Sequence, residues 1–209
     1  MQVNERVRSA RLTLTDLMRA WFRFVLDPIG GFLNRLGLMP NTVTLVGLAG
    51  TLVASILLAR GHFLVGGILV FAMGPIDALD GTMARLRGEA TEFGAFVDSV
   101  TDRYAELLIF GGLLVYFLQQ GDILAATLVF AAAAGSVLVS YVKARAEGLH
   151  FEAKLGILTR MERYLVMVPS LILGYPKVGL WIIAILANLT ALQRILHVRR
   201  QARSGKGNP

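Results

Sequence analysis

No cysteine occurs among the 209 residues, so neither a disulfide framework nor a thiolate metal site can form. Histidine is scarce: His62 and His197 flank helix ends, and only His150 lies near a stretch with other candidate groups. The opening MQVNERVRSA lacks the apolar core of a cleavable signal peptide, so the first apolar helix is expected to direct insertion. No strand precedes any glycine cluster, which excludes a nucleotide-binding glycine pattern, and no internal repeat stands out. Charged residues make up only 17% of the chain and apolar ones 55%. With a mean hydropathy of +0.61, this composition places the chain with membrane proteins. Two soluble domains do not fit.

Apolar stretches at 42–59, 62–76, 104–118, 123–142, 164–175 and 178–196 approach the roughly 20 residues that cross a hydrocarbon core. The fold class expected is all-α integral membrane, with six transmembrane helices. The basic residues agree with that count: of 21 Lys and Arg, all but Arg60 and Lys177 fall on one side of the six crossings. By the positive-inside rule that side, with both termini, is cytoplasmic. Residues 13–27, TLTDLMRAWFRFVLD, are apolar at the helical period but interrupted by charge. They are expected to form an interfacial amphipathic helix ending near Pro28. The organisation expected is therefore an N-terminal interfacial segment (1–40), a transmembrane domain (41–198) and a disordered basic tail (199–209). Paired glycines at 47/50, 66/67 and 111/112, with Gly135, predict close helix approach. Asp27 and Asp122 read as helix caps or solvated charges. The net charge of +7 is assigned to anionic headgroups and an anionic substrate, with no nucleic-acid partner.

The segment DALDGTMARLRGEATEFGAFVDSVTD, residues 77–102, collects four aspartates beside apolar runs. Asp77 and Asp80 share one helix face, as do Asp98 and Asp102. Both pairs fall at cytoplasmic helix ends joined by a short loop, which brings them together. Carboxylates so close repel, and Arg85 and Arg103 offset two at most. Divalent cations offset them better, and hard oxygen ligands without histidine or cysteine suit Mg²⁺ or Mn²⁺. Gly81, Ala84 and Gly94 remove bulk beside the carboxylates, and Arg85 offers a fork for phosphate oxygens. Together they describe a pocket for metal and diphosphate. A DxDGT phosphatase signature does not fit DALDGT, whose aspartates stand one residue too far apart. A transporter would distribute its charges across the bilayer rather than gather them at one face.

The pattern D-x-x-D-G-x-x-A-R, eight residues, then G-x-x-x-D-x-x-x-D resembles the signature of the CDP-alcohol phosphatidyltransferases at every fixed position. That family displaces CMP from a CDP-linked lipid or alcohol with a hydroxyl acceptor. The resemblance implies that Asp77, Asp80, Asp98 and Asp102 hold metal, as two ions, and that Asp102 is the general base. It implies CDP binding by Asp77, Asp80, Gly81, Ala84, Arg85 and Gly94. LMPNTVTLVG adds Asn41 and Thr44, with Pro40, around the nucleotide. A homodimer is expected from the same likeness.

Lys143 with Arg145, and Arg160 with Arg163, form two basic pairs that could bind a phosphate monoester if they face one cavity. SYVKARAE followed by TRMER is similar to the branch that uses inositol phosphate as acceptor, the bacterial phosphatidylinositol-phosphate synthases and their archaeal ether-lipid counterparts. This likeness implies that Lys143, Arg145 and Arg160 bind the acceptor's phosphate and that Arg163 braces the site. Methionine in TRMER stands where many relatives are expected to carry proline. The reaction expected is CDP-diacylglycerol plus 1D-myo-inositol 3-phosphate giving phosphatidylinositol phosphate and CMP. Glycerol 3-phosphate as acceptor and an ether-lipid donor are the alternatives.

Overall fold

A computed structural model describes residues 26–89, 91–153 and 155–205. Most of the expected interfacial helix, and Lys154 and Lys206, lie outside these residues. Residues 26–35 are helical (α1) and pass through Pro28 rather than ending there. A proline's missing N–H affects the turn before it and leaves the residues after it free to continue the helix. Six longer elements follow: α2 (Pro40–Ala59), α3 (Phe63–Arg87), α4 (Glu92–Gln119), α5 (Ile123–Glu147), α6 (Arg160–Ile172) and α7 (Pro176–Arg203).

Local chemistry marks their ends. Prolines open α2 and α7, where a missing donor costs nothing. Gly88 closes α3 in a left-handed conformation at φ 69°, and Thr91 caps α4 by accepting from the Gly94 N–H at 3.0 Å. Asp122 caps α5 as expected, accepting from the Ala125 N–H at 2.9 Å, and it also pairs with Lys177 of α7. Residues 199–203 continue α7 as helix, where a disordered tail was expected.

The helix α2 packs between α3 and α4, α5 lies along α7, and α6 fits between α3 and α7. The main core includes Leu58, Leu113, Leu171, Leu180 and Ile183, all fully buried. A second, smaller cluster of Leu26, Val43, Leu79 and Met83 joins α1 and α2 to the last turns of α3. There Asn34 donates to Met83 O at 3.1 Å, and Arg87 donates to Asn34 Oδ1 at 2.7 Å and Leu38 O at 2.6 Å.

The expectation of six crossings is corrected. Among the described residues only four helices, α2, α3, α5 and α7, are long and apolar enough to span a membrane. Residues 92–106 of α4 carry Glu92, Asp98, Asp102, Arg103 and Glu106, and its uncharged part, residues 107–119, reaches only about 20 Å. The helix α6 has 13 residues and a charged first turn, again roughly 20 Å against a hydrocarbon core of roughly 30 Å. The chain is a multi-pass membrane protein, with exposed leucines and phenylalanines such as Leu45, Leu64 and Phe130 on its outer face.

Close helix approach holds at some of the expected glycines. A Cβ on Gly112 would lie 2.3 Å from Ser55 O, a backbone atom that cannot swing aside, whereas one on Gly111 would meet nothing within 4 Å. Gly112→Ala is therefore expected to destabilise the protein by about 1–3 kcal/mol, and Gly111→Ala to leave it unchanged or slightly more stable. Thermal unfolding in detergent reads both; equal melting temperatures for the two variants would contradict the α2–α4 contact.

Candidate active site

Charged side chains cluster in the last turns of α3, the first turns of α4 and the first turn of α6. Asp80 is buried near the end of α3. Thr44 of α2 donates its hydroxyl to Asp80 Oδ2, and the Gly81 N–H donates to Oδ1 at 2.5 Å. Thr44 is thus an orienting contact for an aspartate, while Asn41, one turn earlier, is exposed. The Asp77 side chain lies outside the described residues. Arg85 is exposed and donates to Thr82 Oγ1 at 2.8 Å. Gly81 and Ala84 are half-buried beside it, and Gly94 lies exposed at the start of α4.

Asp98 is half-buried and Asp102 buried on α4. Asp102 is held mainly from across the interface: Arg160 Nη2 of α6 stands 2.5 Å from its Oδ1, with Arg103 at 3.9 Å. One turn further on, Arg163, 2% exposed, pairs with Glu106 of α4 through two bonds of 2.6 and 2.9 Å. The two ion pairs form successive rungs between α4 and α6. Arg163 therefore ties α6 to α4, with Glu106 as its partner. Sequence reasoning passed over Glu106, although its spacing of four from Asp102 places it on the same helix face.

A cavity opens beside these rungs. Asp102, Glu106, Arg160 and Arg163 line its polar part, and Val70, Met73, Phe110 and Met167 its apolar part. Lys143 and Arg145 do not line it. Both are exposed at the end of α5, Lys143 facing Glu147 at 3.9 Å. The structure thus brings Arg160 to Asp102 and Arg163 to Glu106. Arg194, counted from sequence only among basic residues at the helix end, is buried and donates to Val139 O at 2.6 Å and Leu155 O at 2.8 Å. It ties α7 to α5 and to the segment entering α6.

Among the described residues no three carboxylate or histidine side chains converge closely enough to hold a metal ion by themselves. The donors in the motif are nonetheless all carboxylate oxygens, the set that hard divalent cations take. Breaking the second rung should be costly, because an arginine would stay buried without its counter-charge. Glu106→Gln is expected to destabilise by about 3–5 kcal/mol. A melting temperature equal to the unaltered protein would show that Arg163 has no need of this partner.

The family model for CDP-alcohol phosphatidyltransferases matches residues 37–193. The phosphatidylinositol phosphate synthase of Streptomyces avermitilis is 37% identical over 221 residues, covering 96% of this chain and 90% of that one. The archaetidylinositol phosphate synthase of Pyrococcus horikoshii is 33% identical over 181 residues, covering 86% and 94%. The crystal structure of Mycobacterium tuberculosis phosphatidylinositol phosphate synthase with CDP-DAG bound superposes with a TM-score of 0.78 at 30% identity, over 83% of this chain and 93% of that one. The same enzyme in complex with manganese and citrate gives a TM-score of 0.78, over 83% and 88%. With the motif complete and the match extending over most of its length, this chain belongs to the CDP-alcohol phosphatidyltransferase family.

Proposed function

We propose that this protein transfers a phosphatidyl group from CDP-diacylglycerol to 1D-myo-inositol 3-phosphate, giving phosphatidylinositol phosphate and CMP. The observation that carries this reading is the Asp102–Arg160 pair at 2.5 Å. It sets a buried carboxylate and a half-exposed guanidinium side by side on the cavity wall. A phosphate monoester competes for Arg160 by charge-assisted hydrogen bonds. Its arrival draws the guanidinium away and leaves the Asp102 carboxylate facing the acceptor's own hydroxyl. Free inositol or serine has no phosphate with which to do this. The phosphatidylinositol phosphate synthases among the relatives support the same acceptor.

In the transfer, Asp102 takes the proton of the acceptor hydroxyl. The hydroxyl oxygen bonds to the lipid-side phosphorus, and the bond from that phosphorus to the CMP oxygen breaks. Arg85 binds phosphate of the CDP group, with Asn41, Thr44, Gly81, Ala84 and Gly94 framing the nucleotide. Lys143 and Arg145 join Arg160 on the acceptor phosphate in this reading, by family likeness. Asp77, Asp80, Asp98 and Asp102 would hold Mg²⁺ or Mn²⁺, two ions in this reading; manganese in the solved relative supports a metal, and the all-oxygen donor set fits one. When bound, the metal neutralises the diphosphate and stabilises CMP as leaving group.

The active site faces the cytoplasm in this reading, since the basic residues gather at that side. The lipid tail enters laterally from that leaflet, and the protein works as a homodimer. Residues 41–198 form the transferase domain.

The test is CMP release from labelled CDP-diacylglycerol with a panel of inositol phosphate, glycerol 3-phosphate, inositol and serine, with and without Mg²⁺. Turnover is expected with inositol phosphate and metal; faster turnover with glycerol 3-phosphate would overturn the acceptor assignment. Asp102→Asn should bind CDP-lipid and lose activity roughly 10²-fold or more. Undiminished turnover would remove Asp102 from the role of base.

A further inference from the structure

Pro75 lies inside α3, two residues before Asp77 and five before Asp80. Having no N–H, it leaves the carbonyl one turn earlier, Phe71 O, without its regular helical donor. A carbonyl left unpaired in apolar surroundings is costly. The donor comes from another helix: the Tyr164 hydroxyl of α6 lies 2.8 Å from Phe71 O, with Val70 O at 3.1 Å as a second acceptor. Burial pushes the Tyr164 pKa up to about 12, so the hydroxyl keeps its proton.

Gly74 completes the fit. A Cβ there would stand 2.5 Å from the Tyr164 hydroxyl oxygen and 2.8 Å from the ring carbon bearing it. Gly74 gives room, Pro75 withholds a donor and Tyr164 supplies one. Tyr164 also follows Arg163, bound to Glu106, and sits one turn after Arg160, bound to Asp102. The first turns of α6 are thereby fixed to α4 by two ion pairs and to α3 by one hydroxyl. The helices α3 and α4 touch each other little directly, so α6 on one side and α2 on the other set how the two aspartate pairs stand to each other.

We propose that Tyr164 is a positioning residue whose hydroxyl, seated in the proline gap of α3, holds the Arg160-bearing turn of α6 against the aspartate-bearing end of α3. The proposal rests on the acceptor reading above for what the joint accomplishes, while the joint itself rests on geometry alone. It predicts coupling between Pro75, within α3, and Tyr164, whose side chain also lines the cavity.

Tyr164→Phe keeps the ring and removes the hydroxyl. The KM for inositol phosphate is expected to rise roughly three- to tenfold, the worth of one such hydrogen bond, with the CDP-lipid KM nearly unchanged. In a Pro75→Ala background the new N–H returns a donor to Phe71 O, so the same substitution should change the acceptor KM less than about twofold. Equal losses in both backgrounds, or a CDP-lipid KM that climbs as far as the acceptor KM, would overturn the proposal. Gly74→Ala offers a second route, forcing a methyl into the tyrosine ring. It should reproduce the acceptor-selective loss, and a silent Gly74→Ala would also overturn it. Thermal unfolding in detergent of the Tyr164 and Pro75 single and double variants reads the coupling without substrate: Tyr164→Phe should lower the melting temperature only where Pro75 is present. If that coupling appears while no acceptor supports CMP release, the functional reading falls and the joint stands. If it is absent, the joint falls whatever the activity.

Discussion

A carboxylate buried beside an apolar bundle must be met by positive charge or become neutral. At Asp102 that requirement is met by Arg160, which arrives from a helix far along the chain. Much of the architecture follows from it. The helix α6 has to begin where its guanidinium can reach α4, so its first turn is polar and its apolar remainder is brief. The Glu106–Arg163 pair repeats the arrangement one turn deeper, with the arginine almost fully enclosed. Both helices are made unlike membrane spans by the charges they carry. The cavity beside them is lined by both charged and apolar side chains, a mixture that suits a substrate having a charged head and a hydrocarbon tail.

The aspartate pattern was legible because its spacing is local. Residues three and four apart share a helix face wherever the helix goes, and caps such as Asp122 depend on neighbours three positions away. Thr44 was assigned to the nucleotide pocket by likeness, and its hydroxyl is found on Asp80. The span count failed because residues 104–118 and 164–175 look like crossings when the polar ends are allowed to complete them. Those ends carry Asp102, Glu106, Arg160 and Arg163, which satisfy one another across the α4–α6 interface rather than lengthening an apolar stretch.

Other contacts carried little sequence signal. Arg194 has the composition of a topology marker and the burial of a core residue, a difference set by which carbonyls lie opposite it. The Tyr164–Phe71 bond joins residues 93 positions apart, and only the proline between Gly74 and Ile76 hinted that a carbonyl would lack a donor. The basic pair on α5, grouped with Arg160 by its charge and by family likeness, is exposed and does not line the cavity.

The grip of Asn34 and Arg87 on each other has a bearing on where the working unit begins. The family pattern starts at residue 37, yet Asn34 reaches the Met83 carbonyl and Leu26 packs on Leu79 and Met83. A chain begun at 37 would retain every motif residue while stripping the splint from the segment that carries Asp80. The minimal folded enzyme is therefore longer than the minimal recognisable one, and its extra length serves as scaffolding.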